Sequence, residues 1–399
     1  MLSRVAHPLH GYGGLERHVG ALVRYLAREA EVTLVTSPPL RETKELSGVR
    51  IESVPYRHIP WPKRPGFVVA DRITNYLIWN VRAGRRVLEQ QADIVHVEAG
   101  AGFGYARLRS SRDAPFVLQA QGLEEFKAPW LKRTAYLPLR MATLYASRRA
   151  ARIIVPDHVM EEEVRKILSV QSERCVVVPL AIDLERVERN VADETRREID
   201  QRFELGKESV ILSVGRLESY KGFSYLIEAL MRAKSAIPKP WKWILVGSGP
   251  QENELRRKGR ELGIDNQAIF AGQVSDSELA ALYERSDLFV HPTLFEGSSL
   301  VTLEAMAHAK PVVATAVGGI PDKVAEGKSG FLVPPGDSDG LARAITRAFS
   351  LGSHLIELGV EGRKIVETKF NWTHRARRLL ELYREVASSR VDRPIQVEP

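Results

Sequence analysis

In 399 residues the chain has a single cysteine, Cys175, so it closes no disulfide within itself and offers no cysteine cluster for a metal. Ahead of Val176-Val177-Val178, Cys175 reads as a small buried residue. No window approaches the ~20 apolar residues of a membrane-spanning helix, and the start lacks the apolar core of a signal peptide. A cytoplasmic location is the resulting expectation. There is no repeat of short period, no low-complexity tract, no Walker loop and no Gly-x-Ser-x-Gly elbow. Residues His7, His10, His18, His58, His96, His291 and His308 show none of the paired spacing on one helix that a metal site uses. Asp337-Ser-Asp339 looks like a carboxylate pair but opens a helix, where aspartates act as caps. No metal and no other cofactor is expected.

What is present fits a globular protein of two to three domains: 44% hydrophobic and 27% charged residues over this length. Short apolar runs at Val32–Thr36, 93–97, 115–119 and 152–156 alternate with amphipathic segments at 15–30, 71–90 and 131–150. The pattern restarts with strands at 209–214, 243–246, 268–271, 288–291, 311–315 and 330–333. Such alternation implies parallel sheets covered by helices. The expected fold class is therefore α/β, with two Rossmann-like doubly wound domains, residues 1–183 and 208–372, facing a cleft. The charged stretch 184–207 reads as a linker or peripheral helix, and 371–386 as an amphipathic helix.

The net charge of +8 calls for an acidic partner. Basic residues of the first half mix with aromatics, as in Trp61-Pro-Lys63-Arg64 and Phe126-Lys-Ala-Pro-Trp130-Leu-Lys132-Arg133, a composition that fits either docking on an anionic membrane surface or an arginine-rich solvated surface. No nucleic-acid motif accompanies them, so nucleic acid is not an expected partner.

The richest motif runs from His291 to Ala307 and holds Glu296 and Glu304, eight positions apart. A strand leads in. Gly297-Ser298-Ser299 begins a helix whose unpaired N–H groups suit an anion. Carboxylates accept from sugar hydroxyls, so the motif suits a nucleotide-sugar. Gly215-Arg216 and Lys221-Gly222 add two cations at the end of a predicted strand, where Arg grips a diphosphate in a fork and Lys supplies a point charge. Gly13-Gly14, Gly247-Ser-Gly249 and Gly318-Gly319 are glycine turns between strand and helix that let backbone approach a ligand.

On these residues the chain resembles the retaining glycosyltransferases of family 4, which have the two-domain GT-B fold and an E-x7-E motif, here Glu296 to Glu304. The resemblance runs through Lys310 to Asp322 and Gly330 to Gly336, and is looser before Ser209. It implies a metal-independent, retaining hexosyltransferase that uses a nucleotide-diphosphate sugar. Arg216 and Lys221 would bind the diphosphate, and Glu296 would face the transferred sugar. Backbone of Gly297, Ser298, Ser299 and Leu300 would hold sugar and phosphate. Glu304 would take the ribose, Val274 and Gly247 would lie near the nucleotide, and Gly14 would reach the diphosphate from the first domain. The last helix, about 373–388, would cross back to that domain.

Three departures stand out. Gln121, in Gln119-Ala-Gln121-Gly122, occupies the place of the family's sugar-contacting histidine; it hydrogen-bonds a hydroxyl but carries no charge. Pro179-Leu-Ala-Ile-Asp183 replaces a polar turn. Met1 to Ala6 is short for a central first strand, which points to a start upstream. The expected acceptor is a membrane lipid or surface-glycan precursor, with the protein peripheral at the inner face of the membrane. The competing readings are the same chemistry on a soluble sugar or sugar phosphate, and a non-catalytic nucleotide-binding subunit.

Overall fold

The computed structural model describes residues 1–10, 14–39, 46–56, 65–120, 123, 126, 136–189, 191–238 and 240–391. The chain forms two compact units, Met1–Pro179 with Trp372–Pro399, and Leu180–Asn371.

In the first unit β1 (Val32–Thr36) pairs with β2 (Val49–Ser53), and β3 (Val95–Glu98), β4 (Phe116–Gln119), β5 (Arg152–Val155) and β6 (Cys175–Val177) follow in order, every pair parallel. Leu2 joins the two groups. Its N–H donates to the His96 carbonyl at 2.8 Å, its own carbonyl accepts from Glu98 at 3.0 Å, and Val35 N–H donates to the Met1 carbonyl at 2.9 Å. Met1 to Ser3 thus run between β1 and β3, with Leu2 fully buried. Strands β2 and β6 were not foreseen as strands; both are only half-buried edges, where apolar alternation fades. Cys175, on β6, is partly rather than fully buried. Helices α1 (Gly14–Leu26), α2 (Pro65–Leu88), α3 (Phe103–Leu108), α4 (Leu137–Arg149) and α5 (His158–Leu168) complete the layers.

The second unit starts earlier than the charge pattern suggests. Of the two readings of residues 184–207, linker or peripheral helix, the stretch is helical: α6 (Leu184–Val187) and α7 (Asp193–Arg202) lie there, and Ile199 and Phe203 sit in a core with Val210 and Leu282. A polar helix with one apolar stripe reads as solvated until the sheet that covers the stripe is known. Six parallel strands follow: β7 (Ser209–Val214), β8 (Trp241–Val246), β9 (Ala268–Gly272), β10 (Leu288–His291), β11 (Val312–Thr315) and β12 (Gly330–Val333). Their spatial order is β12-β11-β10-β7-β8-β9. Alternate residues feed two cores, with Ile211, Trp243 and Val290 on one face and Leu212, Ile244 and Phe289 on the other. Helices α8 (Phe223–Ala233), α9 (Glu252–Glu261), α10 (Asp276–Arg285), α11 (Leu300–Ala307), α12 (Ser338–Ser350) and α13 (Leu355–Lys369) cover the faces. Asp337 caps α12 by accepting from Gly340 N–H at 2.7 Å.

Helix α14 (Trp372–Val391) belongs to the first unit. Trp372 packs on His18 and Tyr25 of α1, with ring centroids 5.3 and 5.9 Å apart. Deeper in, α14 enters a buried polar network. Arg375, 3% exposed, donates to the Val178 carbonyl at 2.6 Å, to the Pro179 carbonyl, and to Gln119 Oε1 at 3.0 Å. His96 bridges Tyr383 Oη (2.6 Å) and Glu98 Oε1 (3.1 Å), and His18 Nε2 lies 3.6 Å from the same carboxylate. Burial would raise the Glu98 carboxyl pKa, but the two imidazoles outweigh it and hold the group below the usual range. An ionised Glu98 accepts from His96 Nε2–H, which leaves Nδ1 to accept the Tyr383 proton. Burial pulls Arg375 down to about 10, still a cation at neutral pH.

Candidate active site

Reading the second sheet from β9 to β12 gives the sequence order third, second, first, fourth, fifth, sixth. The chain leaves β7 toward one edge and β10 toward the other. Such a switch point opens a crevice at the carboxyl ends of the two strands, where open α/β sheets bind ligands. The loops leaving β7 and β10 carry the predicted cations and glutamate.

Backbone bonds join these loops. Leu294 N–H donates to the Tyr220 carbonyl at 2.7 Å, and Thr293 Oγ1 reaches the Tyr220 and Phe295 carbonyls at 3.2 and 2.8 Å. Gly222 has φ +69°, and a Cβ there would fall 2.0 Å from the Pro292 carbonyl oxygen. Gly318 has φ +52°, and its Cβ would fall 2.0 Å from the carbonyl oxygen of Glu296. Only glycine fits either position, so both glycines let the loops close around Glu296.

At the centre Lys221 Nζ lies 2.5 Å from Glu296 Oε2, and His291 Nε2 lies 3.3 Å from the same oxygen. The side chains of Lys221 and Glu296 are 13% and 17% exposed, and His291 is fully buried. Burial would raise the Glu296 pKa, but the His291 hydrogen bond and the Lys221 charge bring it from 4.5 down to about 2. Desolvation pushes His291 below its ordinary value despite Glu296. The ring is thus neutral near pH 7 and donates from Nε2. Arg216 is exposed; its guanidinium donates to Tyr220 Oη and lies 5.7 Å from that ring's centroid.

The Glu296 carboxylate has a folded pKa below its ordinary value, so its contribution is complete above about 4.5 and is lost as pH falls toward about 2. Glu296→Gln is expected to lose about 1–3 kcal/mol near pH 7. In urea melts at pH 7, 4 and 3 that gap should narrow at the lower values. A gap independent of pH would refute the ion-pair account.

Past Glu296, Ser299 caps α11 and accepts from Thr302 N–H at 3.3 Å. Ser298 Oγ accepts from Lys323 Nζ at 2.7 Å, and Lys323, 3% exposed, also donates to the Gly319 carbonyl at 3.1 Å. Both serine side chains therefore shape the loop, while the first N–H groups of α11 have no partner within the helix. Glu304 is half-buried on α11 and accepts from Tyr283 Oη at 3.2 Å. Gly247 follows β8 with its Cα against the Gly215 carbonyl, which holds the Arg216 loop in place. Val274 follows β9, half-buried, beside Gln273, whose amide donates to Ser248 Oγ at 3.1 Å.

Lys221, Glu296, Gly297, Ser298, Ser299 and Leu300 are thus brought together, and Arg216 adjoins them through Tyr220. Gly14 begins α1 in the other unit. Gln121 lies outside the described residues, as do Trp61, Lys63, Arg64, Trp130, Lys132 and Arg133. Sequence reasoning missed His291 and Lys323. The signal for each was a polar residue within an apolar run: His291 closes Leu288-Phe-Val, and Lys323 stands between Ile320 and Val324. Among the described residues no cluster of three His, Cys, Asp or Glu side chains is arranged to hold a metal.

Two family models match in tandem: Glycosyltransferase Family 4 over residues 12–186 and Glycosyl transferases group 1 over residues 195–365. The chain belongs to glycosyltransferase family 4. An uncharacterised glycosyltransferase of Methanocaldococcus jannaschii is 25% identical over 391 residues, 95% of this chain and 96% of that one. A GDP-mannose-dependent alpha-(1-6)-phosphatidylinositol monomannoside mannosyltransferase of Mycolicibacterium smegmatis is 30% identical over 212 residues, 51% of this chain and 55% of that one. That match spans only about half the relative's length. Among solved structures, Anabaena HepE in complex with UDP-glucose superposes with a TM-score of 0.72 at 20% identity, covering 96% of this chain and 98% of that one. At that identity the likeness establishes the shared GT-B fold of two Rossmann-like domains. The glycosyltransferase assigned by the E-x7-E motif is therefore correct in family and fold.

Proposed function

We propose that this glycosyltransferase moves a hexose or N-acetylhexosamine, with retention and without a metal, from a nucleotide-diphosphate sugar to a membrane lipid or surface-glycan precursor. The observation that carries the reading is the Lys221–Glu296 ion pair at the switch point between β7 and β10, beside the N-terminus of α11. A donor diphosphate offers Lys221 a second anion, with Arg216 as the fork and the α11 N–H groups as the cradle. As the bond from the anomeric carbon to the phosphate oxygen breaks, these cations stabilise the departing charge. Glu296, ionised through the neutral range, offsets positive charge growing on the sugar ring. The acceptor oxygen bonds the same face of that carbon, and its proton passes to the leaving phosphate. Glu304 takes the ribose hydroxyls and Val274 lies near the base. The UDP-glucose of HepE and the GDP-mannose of the mycobacterial relative support a nucleotide-diphosphate sugar while differing in base.

The membrane acceptor rests on α4. Leu137 and Met141 are 50% and 62% exposed, Arg148 and Arg149 are exposed on the same helix, and the helix holds no acidic residue. No helix among the described residues is long and apolar enough to cross a membrane; the contact we propose is peripheral, at the inner face of the membrane. Incubated with a panel of nucleotide-sugars, the protein is expected to hydrolyse one of them slowly and to release the sugar with its anomeric configuration kept, read by NMR. It should also float with anionic vesicles at low salt. Inverted product, or no turnover of any donor, defeats the catalytic reading; failure to float defeats the membrane acceptor.

A further inference from the structure

The first unit has a pocket of its own, about 470 Å³, at the carboxyl ends of the Leu2 segment, β1 and β2. Arg4, His10, Ser37 and Tyr56 line it, in a wall that includes Pro38 and Pro55. The backbone there is held firmly: the Arg4 carbonyl accepts from Thr36 Oγ1 at 3.1 Å and from Ser37 Oγ at 2.7 Å. His10 is a brace. Its Nδ1 lies 3.0 Å from Ala6 N and 3.2 Å from the Ala6 carbonyl, and its Nε2 lies 2.9 Å from the Ser37 carbonyl.

Arg4 brings a guanidinium to this pocket. Its guanidinium is exposed and lies 5.5 Å from the centroid of the Tyr76 ring, and it forms no ion pair among the described residues. Tyr56 meets it from β2's side. Burial raises the Tyr56 phenol pKa, against the Arg4 charge and hydrogen bonds with Ser37 and Arg4, so the hydroxyl keeps its proton and can donate. A guanidinium without a carboxylate partner, flanked by hydroxyls in a concave site, recognises a small oxyanion.

The diphosphate-binding cations proposed above, Arg216 and Lys221, belong to the other unit. We propose that the pocket takes the anionic group, phosphate or carboxylate, of the acceptor, with Arg4 as counter-ion and Tyr56 as hydrogen-bond donor. The word acceptor rests on the glycosyl-transfer reading above; the anion site does not.

The test uses the full chain with UDP or GDP saturating the second unit, so that its own cations do not take the probe. Glucose 6-phosphate, glucuronate and glucose are titrated by calorimetry, and vesicles of phosphatidylcholine with and without phosphatidylinositol by flotation. The expected result is binding of an anionic probe and not of its neutral counterpart, weakened about 10- to 100-fold in Arg4→Gln. Tyr56→Phe should weaken binding less, and Arg4→Lys should keep part of the affinity. Binding of the free sugar acid or sugar phosphate points to a soluble acceptor anion, and binding of phosphatidylinositol vesicles alone to a lipid headgroup. No anionic probe bound by the wild type, or equal binding by a normally melting Arg4→Gln, overturns the proposal. Arg4-dependent anion binding in a wild-type protein that turns over no nucleotide-sugar would keep the anion site and remove the glycosyl-transfer reading.

Discussion

Lys221→Ala is expected to lower kcat by about two to three orders of magnitude, the usual cost of removing one preorganised group that stabilises developing charge. The donor KM should change less, because Arg216 and the α11 N–H groups still hold the phosphates. Two effects combine in this variant. The departing diphosphate loses a cation, and Glu296 loses the partner that lies 2.5 Å away and helps keep it ionised. Glu296→Ala should bring a comparable fall. Because the two act as a unit, the double variant should be little worse than either single one. Strict additivity of the two losses, or wild-type turnover in either variant, would show that the pair is not the catalytic centre.

The second large effect is on stability. Arg375→Met leaves the Val178 and Pro179 carbonyls and Gln119 Oε1 without their donor, and leaves Glu98 buried without the nearby guanidinium. Breaking a buried charge network from one side costs about 3–5 kcal/mol. For a unit of this size, that lowers the melting temperature by roughly 6–20 °C. The loss should be local. Hydrogen exchange should speed up in residues 1–179 and 372–391 and stay near wild type in 180–371, since all of the groups that lose partners lie in the first unit. Uniform loss of protection, or none, would contradict the role given to α14 as a buried strap of the first unit.

Much of the second unit was legible because its strands are buried on both faces. Runs such as Ser209–Val214 and Leu288–His291 are continuous and apolar, and the structure keeps them within a residue or two. The edges were not. Strand β2 alternates weakly with solvent, and α7 shows one apolar stripe among charges, so neither stood out before the sheet that covers it was known. The glutamates and cations were found because their spacing on strand ends and a helix start has chemical meaning. Lys323 was missed because it hydrogen-bonds a group that the chain brings near from elsewhere, Ser298, 25 residues away; His291, five residues from Glu296, was missed because its part depends on complete burial of the ring.

The sequence by itself determined the reaction family, through the E-x7-E spacing, the Arg216 and Lys221 cations and the strand–helix alternation. These are local patterns, and local patterns survive in one dimension. Only the tertiary structure decided that Lys221 and Glu296, 75 residues apart, share one ion pair at a switch point. It likewise decided that His291 is held neutral beside them, that Met1 to Ser3 run between β1 and β3, and that Arg4 lines a pocket. Each of those depends on burial and on which groups are left to satisfy a charge, and desolvation is a property of the folded chain that no residue carries alone.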